Sequence, residues 1–300
     1  MRKTASPVKP PFPDSPEPGD GVENRTQIII LGSGSPNAEA DRVSSGVAIA
    51  VDDQAYLIDC GHGVVQRVVQ AHEAGLIAWD TSDLTRLFVT HLHADHTVGL
   101  PDLLFTPWIH GRATPVQAYG PAGLEAMLRH IQLAYAANIR EHRAAHPSSE
   151  RGYQAEAREV NEGLCYQDEN VSVYALPANH GDLAAWSYKF VTPAGTVVIS
   201  GDTKPVPNFA EWARGCDLLI HEVYSARQFP DRSPEWRAYH ARVHTSTREL
   251  AALANAIRPG RLLLYHQLFW GQTAEELVAE IASDYDGAIV STNDLDVFEL

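Results

Sequence analysis

Cysteine is scarce: Cys60, Cys165 and Cys216 are the only three in 300 residues, widely spaced and without a C-x-x-C pair. That excludes a disulfide framework and a thiolate zinc site, and the odd count points weakly to a reducing compartment. Basic residues are also short, 23 Lys and Arg against 38 Asp and Glu, for a net charge of −15. A broad, sequence-independent attraction for nucleic acid needs the opposite balance, so only a local basic patch could serve it. No apolar run approaches the ~18–20 residues of a membrane span. The first 21 residues carry Arg2, Lys3 and then many prolines, with no apolar core of a signal peptide. Residues 1–25 read as a disordered tail, an expression remnant or what is left of a removed leader. On its face the chain is cytoplasmic, with export open if the proline-rich start replaces a cleaved leader.

What the chain does have is histidine, and one stretch concentrates it: Thr90-His91-Leu92-His93-Ala94-Asp95-His96. Three imidazoles and a carboxylate fall in six positions directly after the apolar run 84–89, which reads as a buried strand. A strand ending in such residues is a rigid mount. His91 and His93, two apart in extended chain, leave on the same face. Asp95 and His96 follow where the chain turns into a helix expected over 97–108. Neutral imidazoles and an ionised carboxylate suit zinc or iron rather than calcium. One cluster already supplies more ligands than a single open tetrahedral ion needs, which suggests two metals. A lone histidine is usually a surface or satisfied core residue; four ligand-type residues after a strand are not lone.

Elsewhere strands and helices alternate. Residues 26–31 read as the first strand, stopping at Gly32-Ser33-Gly34-Ser35-Pro36, a turn whose backbone N–H groups could also bind an anion. A hairpin follows over 47–51 and 56–58 around Asp52 and Asp53. Asp59, at a strand end before a helix over 64–74, is either a helix cap or a partner for a metal-bound histidine. After a strand over 116–119, Leu124, Leu128, Ile131 and Tyr135 recur at helical spacing and read as core. Residues 138–163 are polar and read as a solvated helix extension and loop that could overhang the site, with His142 and His146 on the surface. Strands over 171–176, 186–191 and 196–200 lead to Asp202, one over 218–220 to His221-Glu222, and one over 261–265 to His266. Helices are expected over 245–257 and 273–282, and strands at Val290 and over 296–300. The class is α/β, in one domain over 26–300 with no linker that would split it. Trp108, Trp186 and Trp270, near motif ends, are core packing or pocket lining.

His180, Asp202 and His266 each follow an expected strand, where sites gather in open α/β sheets. The order His-x-His-x-Asp-His, then distant His, Asp and His, resembles the metallo-β-lactamase superfamily over residues 26–300. The resemblance implies an αβ/βα sandwich, two mixed sheets flanked by helices. It also implies one metal held by His91, His93 and His180, a second by Asp95, His96 and His266, and Asp202 bridging both. Zinc is the usual ion, with iron or manganese in some members. The reaction implied is hydrolysis by a hydroxide shared between two cations roughly 3.5–4 Å apart.

Leu31-Gly32-Ser33-Gly34-Ser35-Pro36, Ser200-Gly201-Asp202-Thr203-Lys204-Pro205, His221-Glu222 and Val243-His244-Thr245-Ser246 are similar to the ribonuclease Z branch and its arylsulfatase-like relatives. That implies a phosphodiester or sulfate ester substrate and a homodimer. Asp95, Glu222 and His244 become the candidate catalytic residues, with the His244 imidazole near the scissile group and the Glu222 carboxylate orienting it. The alternative for that pair is a buried polar link between two loops. Departures exist: His62 stands where ribonuclease Z usually has Glu, and His-Thr-Ser replaces His-Ser-Thr. In residues 138–163 Arg140, Arg143, Arg151 and Arg158 are outnumbered by Glu141, Glu150, Glu156, Glu159 and Glu162, which sets the chain against transfer RNA. The same metal centre would also serve a lactone, β-lactam or thioester. A non-catalytic scaffold, which usually loses ligands, is set aside because all seven positions are filled.

Overall fold

The computed structural model describes residues 25–52, 54–145 and 150–300. Nearly all of the tail expected over 1–25, the turn residue Asp53 and His146 lie outside the described residues. In the first half β1 (Thr26–Gly32), β2 (Gly46–Val51) and β3 (Gln54–Ile58) form an antiparallel meander. β4 (Arg86–Phe88), β5 (Val116–Gly120) and β6 (Ala155–Glu159) extend it in parallel. Parallel neighbours need crossovers, and helices α1 (Val64–Glu73), α2 (Ala94–Thr97), α3 (Leu100–Ile109), α4 (Leu124–Ala134) and α5 (Ala136–Ala145) lie in them.

The second half follows the same plan. β7 (Gly163–Gln167), β8 (Ser172–Pro177), β9 (Trp186–Val191) and β10 (Thr196–Ile199) are antiparallel. β11 (Leu218–Tyr224), β12 (Arg261–Leu268) and β13 (Ile289–Ser291) continue the sheet in parallel. Helices α6 (Phe209–Trp212), α7 (Pro234–Val243), α8 (Thr247–Ile257) and α9 (Ala274–Ala282) join them. The last strand, β14 (Val297–Glu299), returns to the first sheet beside β1. Each sheet has seven strands, and the layers run helix, sheet, sheet, helix, the expected αβ/βα sandwich.

Strand alternation explains the layering. Along β1, Ile28 and Ile30 face the space between the sheets while Ile29 and Leu31 face the helices. Likewise Leu263 and Tyr265 of β12 point between the sheets, and Leu262 and Leu264 toward α8 and α9. Each fully buried side chain of this size is worth about 1.5–3 kcal/mol, and a one-residue slip would move all of them to the wrong layer.

Several expectations change. The helix expected over 97–108 is two helices, and Asp95 and His96 lie inside the first. The break falls at Gly99, where a Cβ would sit 2.2 Å from the Gly61 carbonyl oxygen, and Pro101 suits the first turn of α3. Tyr135 is largely exposed and stacks on Phe105, so the α4 stripe is core only at Leu124 and Leu128, with Ile131 partly buried. Residues 138–163 hold α5, then the edge strand β6, whose alternation of alanine with charge hides it. His142 packs on Trp108 at 4.6 Å rather than lying free on the surface. His221 and Glu222 are within β11, not beyond it. The helix expected from residue 245 starts at Thr247, capped by Ser246 and Glu249 in a reciprocal capping box.

Candidate metal centre

Each ligand-type residue sits where backbone is over-determined. Asp59, with φ +59° just past β3, accepts from Thr90 N–H at 2.7 Å and Thr90 Oγ1 at 2.8 Å. Its other partner is His96 Nδ1, at 2.8 Å. Asp59 is therefore the carboxylate behind a candidate metal histidine and not a helix cap. His180 turns Nδ1 to the Val243 carbonyl oxygen at 2.9 Å, which makes that nitrogen the donor and leaves Nε2 to the site. Asp202 follows β10 after Gly201 at φ +61°. His266 owes its position to a bulge: Glu222 pairs with Tyr265 and Val223 with Gln267, so His266 is the extra residue, at φ +44°.

The rings and carboxylates of both halves converge. His93 Nδ1 lies 3.1 Å from His91 Nε2 and 3.0 Å from His180 Nε2. His266 Nε2 lies 3.1 Å from Asp95 Oδ2 and 3.3 Å from Asp202 Oδ2. His96 Nε2 is 3.6 Å from Asp202 Oδ1, both atoms are buried, and neither has a hydrogen-bond partner. In two groups, His91 with His93 and His180, and Asp95 with His96 and His266, the ligand atoms lie within 4.8 Å of one another, and Asp202 closes a third with His91 and His96. All seven expected ligands meet. Burial drives His91 well below the ordinary imidazole value. Burial pulls His96 down as well, but Asp202 and Asp59 outweigh it and hold it well above. Burial would raise Asp202, yet His266 and His96 keep it well below the carboxylate range. Buried acceptors that face one another with unfilled lone pairs are the donor set of a cation pair; the residues fit two metal ions.

Glu222 and His244 meet beside this cluster, Nδ1 to Oε2 3.3 Å, with no other hydrogen-bond partner on either atom. Glu222 Oε1 accepts from Thr245 N–H at 2.8 Å and Thr203 N–H at 3.3 Å, so the carboxyl is fixed by both loops. Burial, then Asp202, pushes Glu222 well above the usual carboxylate range, and burial pushes His244 down to about 4. With Nδ1 turned to Glu222, Nε2 is the ring nitrogen that His244 has left for the site.

A pocket of about 540 Å³ opens over the cluster, with His93, Asp202, His244 and His266 in its lining. Its wall is α7, which carries Trp236, Tyr239 and His240, and Trp270 faces them. None of the α7 residues stands out in the sequence as a site residue; the readable signal was Ser233-Pro234-Glu235, a capped start with Pro in the first turn. Of the three tryptophans, Trp270 lines the pocket, whereas Trp108 and Trp186 pack in the core. The described residues of 138–163 do not cover the pocket; several line a separate cavity of about 550 Å³ with Arg129. In the Gly32–Pro36 turn, Ser33 N–H goes to Asp294 and Gly34 N–H to Val43, so these two are not free for an anion.

Comparison with known proteins agrees with this geometry. The model of the beta-lactamase superfamily domain matches residues 54–267. A ribonuclease Z of Mycobacterium bovis is 29% identical over 276 residues, 90% of this chain and 96% of that protein. Another, from Mycobacterium sp. (strain KMS), is 30% identical over 246 residues, 81% and 84% of the two chains. The crystal structure of human tRNase Z, short form, has the same fold, with a TM-score of 0.69 at 21% identity over 91% of this chain and 98% of that one. The chain belongs to the beta-lactamase superfamily, as a metal-dependent hydrolase close to ribonuclease Z.

Proposed function

We propose that the protein is a dinuclear zinc phosphodiesterase, formed by one catalytic domain over 26–300. In this reading His91, His93 and His180 would hold one ion and Asp95, His96 and His266 the other, with Asp202 available to both. Bound there, two divalent cations supply Lewis acidity, lowering the pKa of water in the pocket and neutralising charge on phosphoryl oxygens. The chain's own residues do the rest. His244 donates its Nε2 proton to the leaving oxygen, and Glu222 holds the ring by Nδ1 and replaces the proton. Asp95 serves both as ligand and as the carboxylate nearest His266, at 3.1 Å.

The observation that carries this reading is the Glu222–His244 contact beside the ligand cluster, 3.3 Å and fully buried at Glu222. A proton donor at that place suits the expulsion of an unactivated alkoxide, the leaving group of an ordinary phosphodiester. The relatives named ribonuclease Z support the phosphodiester class, and the charge of −15 favours a small ester over RNA. No helix among the described residues is long and apolar enough to cross a membrane.

The test is turnover of bis(p-nitrophenyl) phosphate, p-nitrophenyl sulfate, nitrocefin and a lactone by protein of measured metal content, beside His244→Ala. About two metals per chain and phosphodiester cleavage are expected; His244→Ala should reduce kcat about 10²–10⁴-fold on a dialkyl phosphodiester, the usual worth of a general acid, and far less on bis(p-nitrophenyl) phosphate, whose phenolate leaves without protonation. Turnover of nitrocefin or lactone alone, untouched by His244→Ala, overturns the reading.

A further inference from the structure

The space between the two sheets ends, along one edge, in a polar mouth. β6 and β7 are the last strands of their sheets, and both reach it. Strand register sets Arg86 of β4 beside Gln117 of β5, and Tyr119 of β5 beside Arg158 of β6. With Tyr166 and Gln167 of β7 these residues line a pocket of about 490 Å³. It is apart from the candidate metal centre: Arg86 opens β4, and His91 follows the far end of that strand.

Two guanidiniums meet no carboxylate in this lining. Arg86 is fixed on one side, where Nε donates to Tyr166 Oη at 2.7 Å and Nη1 to Thr85 Oγ1 at 3.3 Å. Its Nη2 makes no hydrogen bond among the described residues and is not among the polar atoms that the chain shuts in, so it is open to a ligand. The acid within reach is Asp168, 3.6 Å from Nε, and its oxygens already accept from Tyr56, Tyr166 and the N–H groups of Asn170 and Val171. Arg158 lies over the Tyr119 ring at 5.9 Å, with no ion pair or hydrogen bond among the described residues. Acids stand near it on β6, but Glu156 pairs with Arg151, and Glu159 accepts from Gly123 N–H. In a chain of net charge −15, two guanidiniums that share a concave, polar site without a carboxylate partner are set up for an anion from outside.

The residue types narrow the class. Each guanidinium fork matches a pair of anionic oxygens, and two of them match a dianion, of which phosphate is the compact form. Gln117, Gln167 and the Tyr119 hydroxyl offer amide and hydroxyl groups to whatever the anion carries, so its body is polar. We propose that this mouth is an anion site separate from the candidate metal centre, for a small phosphate monoester with a hydroxyl-bearing body. It needs no metal and does not depend on the reaction proposed above.

Calorimetric titration of the metal-loaded full chain with glycerol 3-phosphate tests it, beside Arg158→Ala, Arg158→Lys and His244→Ala. The phosphate could also meet the metal ions, and the variants separate the two events. One event should weaken about ten-fold or more in Arg158→Ala, the usual worth of a charged hydrogen-bonding partner. Arg158→Lys should recover part of it, and His244→Ala should leave it alone. That event should also weaken between about 50 and about 500 mM sodium chloride. Arg158 is exposed, so melts of its variants without ligand should coincide with the wild type. No event that responds to Arg158→Ala, in a variant with an unchanged melt, overturns the site. Glycerol binding as tightly as its phosphate overturns the anion, and succinate binding more tightly overturns the phosphate class.

Discussion

Asp59 shows how much one side chain can fix. A non-glycine residue at φ +59° is strained, and its carboxylate holds it there through Thr90 and His96. By accepting a hydrogen bond from His96 Nδ1–H it turns Nε2 toward the site, which sets both the tautomer and the aim of that ring. Asp59→Asn offers an N–H where an acceptor is needed. It should weaken one of the two ions about 10–100-fold, the usual worth of such a partner, and leave the other in place. Chelator competition with metal analysis measures this; two unchanged affinities in a folded variant would mean that His96 aims itself. In the sequence Asp59 kept two readings because a helix cap and a histidine partner are the same chemistry, a carboxylate accepting N–H. Of the seven candidate ligands, His91, His93, Asp95 and His96 were legible from residue type and spacing, while His180, Asp202 and His266 needed their places after strands and the family resemblance as well. The pocket wall on α7 was not legible, since Trp236 and Tyr239 look like any other aromatic residues until a pocket is drawn around them.

At the scale of elements, what was readable followed from local rules and what was missed followed from pairing. Strands β1, β9 and β12 announce themselves by β-branched and apolar runs. β6 does not, because an edge strand of alanines and charges becomes a strand only by lying beside β5. The His266 bulge likewise is a property of β11 and β12 together. Pairing between the two sheets has its own device in the turn from β7 to β8. Asp168 accepts from Tyr166 at 2.6 Å and from Tyr56 of the opposite sheet at 2.7 Å, with Arg86 3.6 Å away. Burial alone would raise the Asp168 pKa, but these hydroxyls and the N–H groups of Val171 and Asn170 outweigh it and hold it below the usual range. A carboxylate depressed in the folded state contributes stability above its unfolded value of about 3.9, and that contribution is lost as pH falls through the lower folded value. Asp168→Asn leaves a tyrosine hydroxyl facing an amide and should cost about 1–3 kcal/mol at neutral pH. Thermal melts should show a drop of several degrees at pH 7 that shrinks below about pH 4. A drop of constant size across that range would assign the loss to packing and not to charge.

On the scale of the whole molecule, the candidate metal centre is where the two halves of the sandwich meet at the ends of their sheets. His91, His93, Asp95 and His96 come from the first half, and His180, Asp202 and His266 from the second. Elsewhere the halves are joined by apolar contact between sheets, which holds whether or not an ion is present. At the centre they are joined by groups that repel one another or compete for protons. Asp95 and Asp202 are 7% and 2% exposed, and without a cation His91, His96 and His266 are the imidazoles within reach to balance them. Ions that bind this arrangement and not the unfolded chain therefore act as cross-links between halves. At a thousand-fold excess over Kd such binding adds about 4 kcal/mol. For a domain of this size that corresponds to a rise in Tm on the order of 10 °C. Exhaustive chelation should lower Tm by that order without abolishing the cooperative transition, because the inter-sheet core survives. Zinc returned in slight excess over two per chain should restore both Tm and turnover. Were metal fully removed with no change in Tm, the halves would be held by their apolar core alone, and the convergence of seven ligands would have to be explained by catalysis without any part in stability.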